Sequence, residues 1–276
     1  MEESEVSFIQ LEELKVEYFQ TGDTNTEVLL FIHGLGANLN QFKKQHSYFS
    51  GQFRVISPSL RGHGNSVLTG ISQAHTFTLK KMGADIIELL EKLQIGKAHF
   101  VGNSMGGNVG YEIMNARPSL LLSLTTFGTT PKLNKNRFTV LLITFFVNTF
   151  NSNIIGYLSS QSGMTPYARN LIKTMIESTP KSTILKSIKN ISNFDYLNVI
   201  DKGKVPILTI IGGNDKAINK GLKSTLQKFK GRNNFYLNTI RNAGHFLNFD
   251  NPKKFNYTLH NFLVQVRNYL LMLVQI

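Results

Sequence analysis

The chain has 276 residues, 41% of them hydrophobic, 11% aromatic and 17% charged, a globular composition that excludes disordered, collagenous and low-complexity classes. Thirty Lys and Arg face seventeen Asp and Glu, a formal charge of +13. The excess allows acidic partners such as anionic lipid, nucleic acid or an acidic carrier protein without choosing among them. There is no cysteine, so disulfide scaffolds, thiolate zinc sites and thiol nucleophiles are excluded.

Residues 1–10, MEESEVSFIQ, start acidic and build no apolar h-region. The longest apolar run, 138–147, is interrupted by Thr139 and Thr144 and is about half a membrane span. Residues 259–276 are apolar but carry Gln265, Arg267 and Asn268. The expectation is a cytoplasmic protein with no stable membrane insertion.

Residues 6–10 and 14–19 read as an opening antiparallel strand pair. Residues 28–32 (VLLFI) are a continuous apolar run, as expected of a strand buried on both faces. A second strand is predicted at 53–56. Leu79, Met82, Ile86, Leu89, Leu90 and Leu93 recur every three or four positions, which predicts a helix capped by Thr78. Strands follow at 98–101, 121–127, 206–211 and 234–240. Asn251 and Pro252 predict the cap and first residue of a last helix, whose apolar positions include Phe255, Leu259, Phe262, Leu263 and Val266. Strands alternating with helices predict an α/β fold with a mostly parallel sheet covered on both faces.

The alternation pauses over 131–200, which reads as helical pieces without a convincing strand. It is expected to be an insertion over the sheet's C-terminal edge, dividing a core of 1–130 and 201–276. It holds eight Lys and Arg against Glu177 and Asp195 alone. Phe138, Leu141, Leu142, Phe145 and Phe146 at helical spacing are expected to line an acyl pocket or to pack the insertion onto the core.

Gly102-Asn103-Ser104-Met105-Gly106-Gly107 stands between a predicted strand and a predicted helix. A G-x-S-x-G there is a nucleophile elbow, in which glycines make room for a serine held at strained backbone angles. A hydroxyl needs a base to become a nucleophile. His245, in Asn-Ala-Gly-His-Phe after the last predicted strand, is the candidate. The candidate acid is Asp215, at the end of the 206–211 strand, where a carboxylate would orient the imidazole; its competing role is to cap the helix near Ile218. Asp195 and Asp201 follow no strong strand, and Asp250 is expected to help start the last helix. Of the other histidines, His99 falls inside a strand. His46, His75 and His260 lie in or beside helical segments with no companion motif.

The order Ser104, Asp215, His245 resembles the α/β-hydrolase superfamily and differs from the chymotrypsin and subtilisin orders. His33-Gly34-Leu35-Gly36 and Arg61-Gly62-His63-Gly64-Asn65-Ser66 also match, so the resemblance covers nearly the whole chain. Ser59 stands where the family often has an aspartate, a departure in a loop outside the triad. The resemblance implies an α/β-hydrolase fold with 131–200 as its helical lid. It also implies an oxyanion hole from the backbone N–H groups of Leu35 and Met105, with His33 and His63 shaping their loops.

A serine at the elbow sets the chain apart from the haloalkane dehalogenases and epoxide hydrolases of this fold, which use aspartate. The expected activity is hydrolysis of a carboxylic ester or thioester through an acyl-enzyme, rising with pH because only neutral imidazole accepts the serine proton. The substrate is expected to be a small-molecule ester, with an apolar acyl group or one borne by an acidic carrier as in the pimeloyl-carrier methyl ester hydrolases. No cofactor, no metal and no nucleic acid are expected. The same resemblance leaves open a C–C bond hydrolase, a lyase of the menaquinone-pathway type (although Asn108 stands where that lyase has arginine) and a non-catalytic small-ligand binder.

Overall fold

The computed structural model describes residues 6–69, 76–229 and 231–274, so His75 lies outside the described residues. β1 (Ser7–Gln10) and β2 (Leu14–Thr21) form the expected antiparallel pair. Then come β3 (Val28–Ile32), α1 (Lys43–Phe49), β4 (Arg54–Pro58) and a two-residue β5 (Val67–Leu68) that pairs with β2. α2 (Leu79–Lys92), β6 (Ala98–Asn103), α3 (Met105–Ala116) and β7 (Leu121–Phe127) complete the first half. Thr78 caps α2 as predicted, its hydroxyl accepting from Lys81 N–H.

After β7 the chain leaves the sheet through β8 (Lys132–Asn134), α4 (Arg137–Thr149), α5 (Ser152–Ser160), α6 (Pro166–Ser178) and α7 (Lys181–Asn190). It returns through β9 (Asn193–Asp195) and α8 (Leu197–Lys202). The expectation of no strand in this stretch is corrected: β8 and β9 pair antiparallel and close the base of the excursion. Three-residue strands carry too little alternation to be read from sequence.

β10 (Ile207–Gly212), α9 (Lys216–Phe229), β11 (Phe235–Ile240), α10 (Leu247–Asp250) and α11 (Pro252–Val274) finish the chain. Asn251 caps α11 as predicted, accepting from Lys254 N–H. The sheet runs β1-β2-β4-β3-β6-β7-β10-β11, parallel from β4 to β11.

β3 shows why the apolar runs are continuous. Leu30 and Ile32 join one core with Met82, Ile86 and Leu89 of α2 and Val109 and Ile113 of α3. Leu29 and Phe31 point the other way, toward Phe49 of α1 and Phe255, Leu259 and Phe262 of α11. With helices on both faces neither set meets water, and each side chain so buried contributes about 1.5–3 kcal/mol.

The sheet register sets what gathers at one edge. Ile32 stands beside Gly102 and Gly102 beside Thr126; Asn103 stands beside Phe127 and Phe127 beside Ile210; Gly212 stands beside Ile240. The loops after β3, β6, β10 and β11 therefore leave the sheet along a common C-terminal edge. The excursion packs over them: Thr179 Oγ1 donates to the Gly36 carbonyl (3.1 Å), Thr183 Oγ1 to that of Gly62 (3.0 Å).

The carboxylate missing at Ser59 arrives from another strand. Ser59 Oγ donates to Oε1 of buried Glu17 on β2 (2.6 Å), and Asn65 Nδ2 donates to its Oε2 (2.7 Å). The loop after β4 is held by an acid at a sequence distance that no local pattern reveals.

Candidate active site

Ser104 sits between the last residue of β6 and the first of α3 with φ +51° and ψ −117°, a conformation that L-residues rarely adopt and that clusters at functional sites. Its surroundings enforce it. Ser104 N–H donates to Phe127 O (2.9 Å), and its carbonyl accepts from Gly107 N–H (3.0 Å) and Thr129 Oγ1 (3.0 Å). A Cβ on Gly102 would strike the Gly106 carbonyl, and one on Gly106 would strike that of Ile32. The turn is possible only because both are glycine.

Asp215 and His245 are brought together. His245 Nδ1 donates to Asp215 Oδ2 at 2.8 Å. Because a carboxylate only accepts, Nδ1 carries the hydrogen, and in the neutral ring Nε2 is left as the basic nitrogen. Asp215 also fills its competing role, since its Oδ1 accepts from Ile218 N–H at 3.4 Å. The rival acids are engaged elsewhere: Asp195 with Lys132 and Leu197 N–H, Asp201 with Arg232.

Asp250 corrects the reading that made it a helix starter. It ends α10, and its carboxylate accepts from Gly244 N–H (2.8 Å) and Met164 N–H (2.7 Å). It thus ties the residue before His245 to the excursion between α5 and α6. Burial pushes its carboxyl above the ordinary aspartate range.

His33 shapes the loop after β3. Its Nδ1 donates to Gly34 O (2.7 Å) and its Nε2 accepts from Leu60 N–H (2.8 Å). One partner can only accept and the other only donate, so the ring is neutral with a fixed tautomer. Complete burial, with the His63 ring beside it, holds its pKa well below the usual histidine value. In a trans peptide the carbonyl and the next N–H point opposite ways. By holding the Gly34 carbonyl, His33 aims Leu35 N–H to the other side. Gly34 itself lies against the serine, a Cβ there falling 3.2 Å from Ser104 Cβ. Met105 is the first residue of α3, so its N–H belongs to the helix-end donors without an intrahelical acceptor.

Two residues that the sequence reading left unassigned join these loops. Buried Gln41 accepts from Gly34 N–H through Oε1 (3.3 Å) and donates through Nε2 to Asn103 Oδ1 (2.9 Å). Asn103 Nδ2 in turn donates to the carbonyls of Phe127 (3.2 Å) and His245 (3.3 Å). Asn103 was visible as the variable position of the elbow, but Gln41 carries no local signal.

The sequence expectation for α4 is corrected as well. Phe138, Leu141, Leu142 and Phe145 face outward and do not pack the insertion onto the core; of the five, Phe146 packs inward. Apart from the stripe of Arg137, Thr144 and Asn148, α4 is apolar on both the outward ridge and the inward side, so periodicity alone does not say which face is buried. Among the described residues, no three His, Asp or Glu side chains are grouped as a metal site requires, and no helix is long and apolar enough to cross a membrane.

Residues 27–252 match the profile of the alpha/beta hydrolase fold family. The 3-oxoadipate enol-lactonase 2 of Acinetobacter baylyi is 34% identical over 99 residues, 36% of this chain and 36% of that protein. The first curated relatives are matched over 36%, 29% and 32% of their length, about a third. Among solved structures, a thermophilic esterase from Thermogutta terrifontis superposes with a TM-score of 0.82 at 21% identity, covering 95% of this chain and 99% of that one. The enol-lactonase from Burkholderia xenovorans LB400 gives 0.81 at 20% identity over 94% and 100%. At that identity the superpositions speak for the fold. The family match, which runs from just before β3 to the start of α11, makes this chain a member of the alpha/beta hydrolase fold family.

Proposed function

We propose that the protein hydrolyses carboxylic esters or thioesters through an acyl-enzyme formed on Ser104. His245 takes the hydroxyl proton as Oγ attacks the carbonyl carbon, and the N–H groups of Leu35 and Met105 receive the oxyanion. On collapse His245 returns the proton to the leaving alcohol or thiol. Water then repeats both steps on the acyl group, releasing acid and free Ser104. Asp215 holds the tautomer and stabilises the imidazolium. The excursion over 131–200 serves as the lid.

The observation that carries this reading is the 2.8 Å bond from His245 Nδ1 to Asp215 Oδ2, on loops joined through Asn103 to the strained Ser104 turn. The names of the relatives agree with the substrate class, since a lactone is an internal ester.

The test is turnover of short p-nitrophenyl esters by the purified protein, with Ser104→Ala as the blank. Activity rising with pH, lost in Ser104→Ala together with fluorophosphonate labelling, supports the reading. Persistent labelling of Ser104→Ala places the nucleophile elsewhere. Absence of turnover on any ester, with small-ligand binding retained, favours a non-catalytic binder.

A further inference from the structure

α4 exposes more apolar surface than holding its place requires. Phe138, Leu141, Leu142 and Phe145 recur at i, i+3, i+4 and i+7, and so share one helix face. They are 68%, 66%, 53% and 68% exposed. The opposite side already seats the helix: Val147 is buried, and Val140, Ile143 and Phe146 pack with Ile184 and Ile188 of α7. α5 repeats the pattern with Ile154, Tyr157 and Leu158 exposed. Single exposed apolar residues are ordinary, but a contiguous ridge marks an interaction surface.

The charge around the ridge has one sign. Lys135 and Arg137, both exposed, stand at the start of α4. At its other end Lys181 Nζ donates to the carbonyls of Asn148 (3.0 Å) and Phe150 (2.8 Å). From 113 to 176, 64 consecutive residues include no Asp or Glu. The two acids of 131–200 each pair with a lysine, Asp195 with Lys132 and Glu177 with Lys173.

We propose that this face of α4 docks on an anionic lipid bilayer, with the helix axis in the plane of the interface. Phe138, Leu141, Leu142 and Phe145 enter the acyl boundary while Lys135 and Arg137 meet the headgroups. The shape favours lipid, because a convex ridge needs a matching groove in a rigid partner, whereas a fluid bilayer conforms to it. The length agrees, since 13 residues extend about 20 Å as a helix, too short to span and long enough to lie along the surface. A second copy of the chain would set one acid-free cationic face against another. The proposal concerns where the protein sits and holds whatever reaction the site performs.

The test is flotation of the purified full chain with vesicles of phosphatidylcholine alone and of phosphatidylcholine mixed with phosphatidylglycerol, at low and high salt. Binding is expected to the mixed vesicles, weakening about tenfold or more as salt rises. Phe138→Ser/Phe145→Ser should lose on the order of 100-fold of it, and Lys135→Gln/Arg137→Gln about tenfold. Both variants change exposed side chains and should keep the wild-type melting temperature, which separates lost docking from lost folding. Failure of the wild type to float with the mixed vesicles, or equal flotation of all three proteins, overturns the proposal. A concentration-dependent dimer that Phe138→Ser/Phe145→Ser disperses, without vesicle binding, would assign the face to a second copy. Binding of an acidic acyl carrier protein, again without vesicle binding, would assign it to that carrier.

Discussion

Gln41 and Asn103, 62 residues apart in the chain, meet side chain to side chain at 2.9 Å beneath the candidate active site. Through the remaining atoms of these two amides, the Gly34 loop, the Ser104 turn and the His245 carbonyl become one hydrogen-bonded unit. Both residues are buried, so neither can exchange a lost partner for water.

This unit should behave as a positioning device. Gln41→Ala and Asn103→Ala are each expected to lower kcat about 10–100-fold with a smaller change in KM, since misplaced groups harm the transition state more than ground-state binding. Each should also cost about 1–3 kcal/mol of stability through the buried group left unpaired. The double variant should lose less than the sum of the singles in a mutant cycle. Additive losses would show two independent amides.

His33 should matter through a peptide it does not belong to. With the imidazole gone, the Gly34 carbonyl keeps only the longer bond from Ala37 N–H (3.2 Å) and the direction of Leu35 N–H is held less firmly. His33→Ala is expected to reduce kcat by about 10²–10³, the usual cost of losing one oxyanion donor. Burst kinetics would check it: acylation should slow while the His245-dependent pH profile keeps its shape. An unchanged acylation rate would remove His33 from the oxyanion loop's support.

Acid should unfold the protein through buried histidines that take no proton in the proposed reaction. Burial lowers His46 to about 3 and His63 to about 4 from the ordinary 6.5, and His33 moves in the same direction. Below 6.5 the unfolded chain binds protons that the folded chain refuses, so stability is full above that value and is lost as pH falls toward 3–4. Urea midpoints followed downward from neutral pH should fall steadily, with a total loss on the order of several kcal/mol. In His46→Gln the slope should be shallower, and an equal slope would contradict the assignment.

A buried ion pair supports the loop after β4. Arg61 is fully buried; its Nε and Nη2 donate to Asp85 Oδ2 and Oδ1 at 2.7 and 2.6 Å, and its Nη1 to Thr76 O at 2.8 Å. Asp85→Ala leaves the buried guanidinium with only the more distant, partly exposed Glu13 carboxylate (3.6 Å) and should cost about 3–5 kcal/mol, read from chemical denaturation. Arg61→Met/Asp85→Leu should cost less than Asp85→Ala alone, because no charge is then stranded.

Much of the fold and three of the candidate site residues could be read along the chain, for local reasons. Strands covered on both faces appear as unbroken apolar runs such as 28–32, α2 shows its stripe and cap, and the elbow's glycines answer a steric demand confined to five residues. Ser104, Asp215 and His245 each stand just past a strand, so the parallel register that aligns strand ends sends their loops to one edge of the sheet. What only the tertiary structure decided has no periodicity to betray it. Gln41 meeting Asn103, Glu17 replacing the acid absent at Ser59 and Asp250 tying Met164 to Gly244 are polar contacts between distant positions, each formed because a buried donor or acceptor must find a partner wherever the fold brings one. The outward turn of Phe138, Leu141, Leu142 and Phe145 was decided there too, since in a helix with apolar residues on two faces the choice of inner face belongs to the neighbour it packs against.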